Sequence, residues 1–342
     1  MTFEEWKQLC PTLAQVFGQE TELISHVVPI GNVIGSRTER YETSATRIET
    51  CTRTVKMADP NWLESKLAKL RSEKDPCNVS GIIGEIRAYG ELLWVWRDTD
   101  LSAPAQGPDF LVHLDDSSLS VEVHTPQGRS SIERTTLEHE STTFGNVTTR
   151  LSEVAPFGLP ERPAIDTAQG ECVSQIAGIK GTEHQFDEET LSVLWLDFND
   201  PSVSLIGLDS EQALPVMRGE NALTSGCLWN AFYAEKGDPI FDSLSLEGSG
   251  SRIYEMEFHG RFSRGSKIDF VICDIATDKI ILQNPFTSKP IPDSFFRDVF
   301  RLFGFNLALS WLDWPVRGYL KPRVEHAREE IRLFTTAFRL TT

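Results

Sequence analysis

The stretch Ser80–Gln127, SGIIGEIRAYGELLWVWRDTDLSAPAQGPDFLVHLDDSSLSVEVHTPQ, decides how this chain is read. In its first part Ile82, Ile86, Tyr89 and Leu93 recur at helical spacing, so they share one helix face. At about 100° per residue, Glu85 falls on the edge of that face, beside Tyr89 and Leu92, while Glu91 points the opposite way, toward solvent. Leu92 to Arg97 closes the helix and leads toward a strand, with Trp94 and Trp96 on one side. From Gly107 the period changes to two. A strand opens as Gly107-Pro108-Asp109-Phe110 and a second returns as Val121-Glu122-Val123-His124, with the polar cluster Asp115-Asp116-Ser117-Ser118 between them. Alternation puts Asp109, Leu111 and His113 on one side of the outgoing strand. On the returning strand it puts Ser120, Glu122 and His124 on one face, with Val121 and Val123 on the other. Asp109 and Glu122, thirteen positions apart in sequence, become cross-strand neighbours with side chains roughly 5 Å apart. Two carboxylates that close repel unless a cation lies between them or one keeps its proton. Oxygen donors of this kind suit Mg2+ or Mn2+.

Pro108-Asp109, the hairpin and Glu122-x-His124 together resemble the PD-(D/E)XK nuclease superfamily, over roughly Ser80 to Asn199. The resemblance implies an α/β protein with a restriction-endonuclease-like core, a central mixed sheet flanked by helices. It also implies metal-dependent hydrolysis of phosphodiester bonds in nucleic acid, with DNA the expected substrate, and by analogy a place in microbial nucleic-acid defence. Asp109 and Glu122 would bind the metal, and Glu85 matches a first-helix glutamate that many members place beside it. The position that carries the superfamily's strand lysine holds His124. A neutral imidazole there could ligate metal or take a proton from water, an imidazolium could replace the lysine's charge, and a degenerate site would need neither. Lys180 resembles a catalytic lysine moved to a neighbouring helix. It stands in the stripe Val173, Ile176, Ala177, Lys180 of a helix expected over Gly170–Gln185, where the alternative is a side chain that snorkels to water.

Composition bounds these readings. The chain has 342 residues with 40% hydrophobic and 24% charged content, ordinary for a globular protein with ample core. No run of eighteen apolar residues exists, so no membrane span is expected, and MTFEEWKQLC opens with acids, not a basic leader, so a cytoplasmic location is expected. The six cysteines lie at 10, 51, 77, 172, 227 and 273, in no zinc or redox spacing, and read as reduced thiols. A net charge of −17 opposes unspecific binding to phosphate backbones. It also keeps open an inactive nuclease fold serving as a binding or scaffold subunit, and an acidic mimic of DNA.

Three regions follow: an N-terminal extension over 1–79, the nuclease-like core over 80–210 and a C-terminal α/β region over 211–342. In the first, Phe3–Phe17 and Asn61–Leu70 have helical periodicity, the latter opened by Asp59-Pro60. Gly35–Met57, rich in Thr, Ser and Arg, reads as an exposed strand or pair of strands whose Arg37, Arg40, Arg47, Arg53 and Lys56 either solvate it or meet phosphates. Gln127–Ala168 reads as a long loop, with a short helix over Ser131–Glu140 and with Arg129, Arg134 and Arg150 offered to nucleic acid. Leu191–Phe198 is a core strand. Beyond it, Leu228–Ala234 is a helix or strand, and Ile253–His259, Ile268–Ile275 and Lys279–Gln283 are strands. Phe295–Trp311 and Tyr319–Phe338 are amphipathic helices that either pack on a sheet or make a homodimer or protein-partner contact. The loop GRFSRGS, with His259, Arg261, Arg264 and Lys267, has the chemistry to hold an anion.

Overall fold

The computed structural model describes residues 8, 10–17, 39–73, 75–96, 100–114, 117–126, 135–144, 147–155, 176, 186, 189–199, 210–218, 222–245, 252–262, 265–275, 279–292, 295 and 320–341. In chain order the first half comprises α1 (Pro11–Phe17), α2 (Glu39–Ala58), α3 (Pro60–Ser72), α4 (Pro76–Val95), β1 (Asp100–Ser102), β2 (Phe110–Leu114), β3 (Ser117–His124), β4 (Thr135–Phe144) and β5 (Val147–Ala155). There follow β6 (Leu191–Asp197), β7 (Met217–Arg218), β8 (Ala222–Thr224), α5 (Cys227–Tyr233), β9 (Pro239–Ser245), β10 (Arg252–Glu255), β11 (Phe270–Asp274), β12 (Lys279–Gln283) and α6 (Leu320–Thr341).

β6 and β11 are buried at every position, as continuous apolar runs are when a strand is flanked on both edges and covered on both faces. They form the middle of a six-stranded mixed sheet in the order β1-β2-β3-β6-β11-β12. β1, β2 and β3 are an antiparallel meander, β3, β6 and β11 run parallel, and β12 returns antiparallel. Helices α2, α3 and α4 cover one face, where Ile48, Leu63, Ile86 and Leu92 pack with Val112, Val121, Val193 and Ile272. α5 and α6 cover the other, where Leu228, Phe232 and Val324 meet Leu194, Leu196 and Val271. A smaller antiparallel sheet, β10-β9-β8-β7, and the ribbon β4–β5 complete the described strands. The protein is therefore mixed α/β, with its main sheet between helices. Among the described residues, no helix is long and apolar enough to cross a membrane.

Several elements differ from the sequence expectation. The Thr-rich segment expected as a strand is helix α2. Ile48, Cys51, Thr52 and Val55 make a buried helical stripe, and Thr50, Thr52 and Thr54 each donate their hydroxyl to the carbonyl four residues earlier. Tertiary burial of the stripe, with the hydroxyls satisfied inside the helix, overrides β propensity. Arg37 lies outside the described residues. Arg47, offered to phosphate by the sequence, is instead bound to Asp274 and Glu91. Of the Ser131–Glu140 segment expected as a short helix, residues 135–140 lie in strand β4, paired with β5 across a register shift between Glu138 and Glu140, and 131–134 fall outside the described residues. Trp94 and Trp96 do not share a side: Trp94 is 64% exposed at the end of α4, and Trp96 is buried. The main sheet also reaches past 80–210, taking β11 and β12 from the C-terminal region, while α2 and α3 from the N-terminal region supply its helix layer.

α4 is buried on nearly every side and touches both neighbouring layers through glycines. A Cβ on Gly84 would collide with the Thr125 hydroxyl and lie 2.8 Å from Asp197 Oδ2, and one on Gly90 would lie 2.5 Å from Cys51 Cα in α2. Where the layers touch this closely, charged groups tie them. Asp197 and Asp274 are register partners on β6 and β11, at 1% and 0% exposure. Arg87 of α4 pairs with Asp197. Arg47 of α2 donates to both Asp274 oxygens at 2.7 Å and to Glu91 at 2.6 Å. Lys279 stands 3.4 Å from Glu91, which is thus held inside the network and not pointed at solvent. Burial raises the Asp274 carboxyl, but the charges of Arg47, Lys279 and Arg87 outweigh it and hold the group below its ordinary value. At Asp197 burial wins over Arg87, and the carboxyl is raised. Fully paired, such a lattice fixes orientation more than it adds stability.

The glycine contacts make a paired prediction. Gly90→Ala forces backbone apart and should destabilise the protein by about 1–3 kcal/mol. Gly81→Ala, with nothing within 4 Å of its Cβ, should be neutral or stabilise by up to about 1 kcal/mol through helix propensity. Urea denaturation of the two variants checks both signs.

Candidate functional site

β2 and β3 pair Phe110 with Val121, His113 with Ser118 and Leu114 with Ser117. Phe110, Val112, Leu114, Leu119 and Val121 thereby enter the helix-side core. Continuing the same register by one residue opposes Asp109 to Glu122. Asp109 lies just before β2, after Gly107, whose φ of +99° turns the chain and favours glycine. The Asp109 carboxylate accepts the Val123 N–H at 2.8 Å, while the Asp109 N–H is hydrogen-bonded to the Glu122 carboxylate. The two acids are laced to each other's strands, and the structure brings them together.

Neither carboxyl is at ease there. Burial and the nearby Asp109 charge push Glu122 up to about 8, against the opposing Asp109 N–H. Burial also raises Asp109, with the Val123 N–H and the Lys66 charge pulling down. At neutral pH the pair holds on to a proton. A cation is the alternative partner.

Lys66, which sequence reasoning missed, comes from α3. Its ammonium pairs with Glu85 of α4 and sits 5.2 Å from the centroid of the Trp62 ring. Burial lowers its pKa and the Asp109 charge opposes that shift. Lys66 therefore pairs with the first-helix glutamate within range of the Asp109 charge. Its sequence signal was a lysine on the border of the stripe Leu63, Leu67, Leu70, the same kind of signal that drew attention to Lys180.

Glu85 is engaged by this lysine. His124, on the face that alternation gives Glu122, is pushed down to about 4 by burial and by the Arg261 guanidinium. Its imidazole is neutral near pH 7, and the cation beside it is Arg261, from the loop the sequence marked as anion-binding. Arg261 is held by its N–H to Ala231 O at 2.9 Å, at the end of α5. Arg150 lies in β5 opposite Ser141. Lys180, Arg129 and Arg134 fall outside the described residues, as does the helix expected over Gly170–Gln185, except for Ile176, which is helical and buried.

Among the described residues no group of three or more His, Cys, Asp or Glu is arranged to hold a metal ion. The opposed acids supply two carboxylates, which is a normal protein share for Mg2+, whose remaining positions go to water and substrate phosphate. The donor set thus fits such an ion. No family model, characterised protein or solved structure matches the chain.

The raised Glu122 carboxyl has a consequence for stability. Between its ordinary value of 4.5 and the folded value of about 8, the unfolded chain releases a proton that the fold retains. Stability therefore falls as pH rises through that window. Without divalent cations, Glu122→Gln should gain roughly 3 kcal/mol over the native chain near pH 8 and nothing near pH 4. Denaturation across that range reads the difference, and a gain independent of pH would show that the group is not held neutral.

Proposed function

We propose that this chain is a metal-dependent nuclease with a restriction-endonuclease-like core, hydrolysing phosphodiester bonds of DNA in the cytoplasm, in microbial nucleic-acid defence. One observation carries the reading: two mutually opposed carboxylates, half-buried Asp109 and buried Glu122, with the Lys66 ammonium close enough to feel the Asp109 charge. The order of elements supports it, with helix α4, the meander β1–β3 and then β6 parallel to β3, as the resemblance implies.

Asp109 and Glu122 would hold Mg2+ or Mn2+, in exchange for the proton they otherwise share. When bound, the ion lowers the pKa of its water and draws charge from the scissile phosphate. Lys66, steadied by Glu85 and the Trp62 face, faces the same substrate oxygens and offsets their charge. It takes the role that the strand position filled by His124 leaves open. His124, neutral, can accept a proton from water. Arg261 adds a fixed positive charge on its side of the sheet.

Supercoiled plasmid, single-stranded DNA and RNA, each incubated with Mg2+, Mn2+ or EDTA, test the proposal. Cleavage should require the cation and fall roughly a hundredfold or more in Asp109→Ala and in Lys66→Met. Calorimetric Mg2+ binding should vanish in the first variant and survive in the second. Cleavage that persists in EDTA or in Asp109→Ala would end the nuclease reading. That no group of three or more His, Cys, Asp or Glu among the described residues is arranged to hold a metal favours one other reading, a nuclease-fold scaffold without chemistry. That reading predicts nucleic-acid or protein binding by the native chain, with no cleavage under any cation.

A further inference from the structure

Helix α3 carries three basic residues, Lys66, Lys69 and Arg71, against one acid, Glu64. Two of the three have acidic partners, since Lys66 pairs with Glu85 and Arg71 stands 4.0 Å from Glu64. Lys69 is exposed and makes no ion pair among the described residues. A cation in the last turn suits the negative end of the helix dipole, but Arg71 meets that need from the same turn. Like charges three apart weaken a helix, so the stability of α3 does not account for Lys69 beside Lys66.

Its face connects it to the acids. Trp62, Lys66 and Lys69 stand at i, i+4 and i+7, which places them in a stripe about 60° wide. The stripe borders the buried Leu63, Leu67 and Leu70 and grades from core to water. Trp62 leans on Tyr89, ring centroids 4.7 Å apart, Lys66 is half-buried, and Lys69 is in solvent. Lys66 feels both ends: burial lowers its pKa, the Asp109 charge opposes that, and the Lys69 charge adds to it. Electrostatic contact thus runs from Asp109 through Lys66 to Lys69. On a chain of net charge −17, which repels polynucleotides at large, such a run is where a phosphate backbone meets positive charge.

We propose that Lys69 holds a substrate phosphate next to the scissile one, so that the site takes a polynucleotide strand and not an isolated phosphodiester. The inference rests on the nuclease reading above. Cβ atoms three apart on a helix lie about 5–6 Å from each other, and flexible lysine stems let the two ammonium groups spread to consecutive phosphates. An ammonium is a point charge that reads no base, so Lys69 adds affinity without sequence preference.

A single-stranded DNA oligonucleotide, which has neighbouring phosphates, and dithymidine monophosphate, which has one diester, test it with Mn2+ on the full chain. Lys69→Gln should raise KM for the oligonucleotide about fivefold with kcat unchanged, the mark of lost uniform binding, and leave hydrolysis of the dinucleotide unchanged. Fluorescence anisotropy of the oligonucleotide in EDTA should show the slope of log affinity against log salt falling by about 0.7, one single-strand phosphate contact. Lys69→Arg should restore KM and slope. Lys236→Gln, at an exposed lysine in the turn after α5 on the other side of the sheet, should alter neither. All three variants should keep the native melting temperature. Equal losses on both substrates, an unchanged KM or salt slope in Lys69→Gln, or the same losses in Lys236→Gln would overturn the inference while native cleavage stands. No cleavage by the native chain would instead end the nuclease reading, and this inference with it.

Discussion

The pairing of Phe110 with Val121 governs both the core and the candidate site. With side chains alternating, that single register sends Phe110, Val112, Leu119 and Val121 into the layer beneath α3 and α4. It leaves Glu122 and His124 for the other face. A slip of one residue would drive Glu122 among those apolar groups and bring Val121 out of them, so the hydrophobic set locks the acids in place. The cost falls on Glu122, whose carboxyl is pushed up to about 8 by burial and by Asp109. A fold that maintains this arrangement spends stability at a place where packing alone would favour an amide or an apolar residue.

The other buried carboxylates are treated differently. Asp274 faces Arg47 and Lys279 and is held below its ordinary value. Asp197 receives Arg87 and Asn199. There every charge has a partner, and the lattice ties α2 and α4 to the C-terminal ends of β6 and β11, where Gly84 and Gly90 let the layers approach. Asp109 and Glu122 face one another instead. The same residue type is held charged among cations at Asp274 and pushed toward its neutral form at Glu122, because the first faces arginine and lysine and the second faces another carboxylate.

Local chemistry explains which parts were legible. The hairpin was readable because alternation and a polar turn cluster lie within one short window, and α3 because Asp59 caps it, accepting the Trp62 N–H at 3.1 Å ahead of Pro60 at its start. The strand over Leu191–Asp197 was readable from its unbroken apolar run. α2 was not, since threonines favour strands and only the surfaces of α1, α3 and α4 make its Ile48–Val55 stripe a buried face. The ribbon β4–β5 did carry a local sign, Gly145-Asn146 between two Thr-rich runs, which is hairpin chemistry. Lys66 lies far upstream of Asp109 in sequence, so no spacing rule connects them.

Sequence alone determined the two opposed acids, the helix before them and the strand after, because period, turn residues and caps act within a few residues of one another. Tertiary structure decided the rest: that a lysine from α3 pairs with Glu85 within range of Asp109, that Arg261 and not His124 carries positive charge beside β3, and that Glu91 and Arg47 are structural. Those outcomes depend on burial and on charges brought together from distant segments, and the free energy of a charge is set by its surroundings in space.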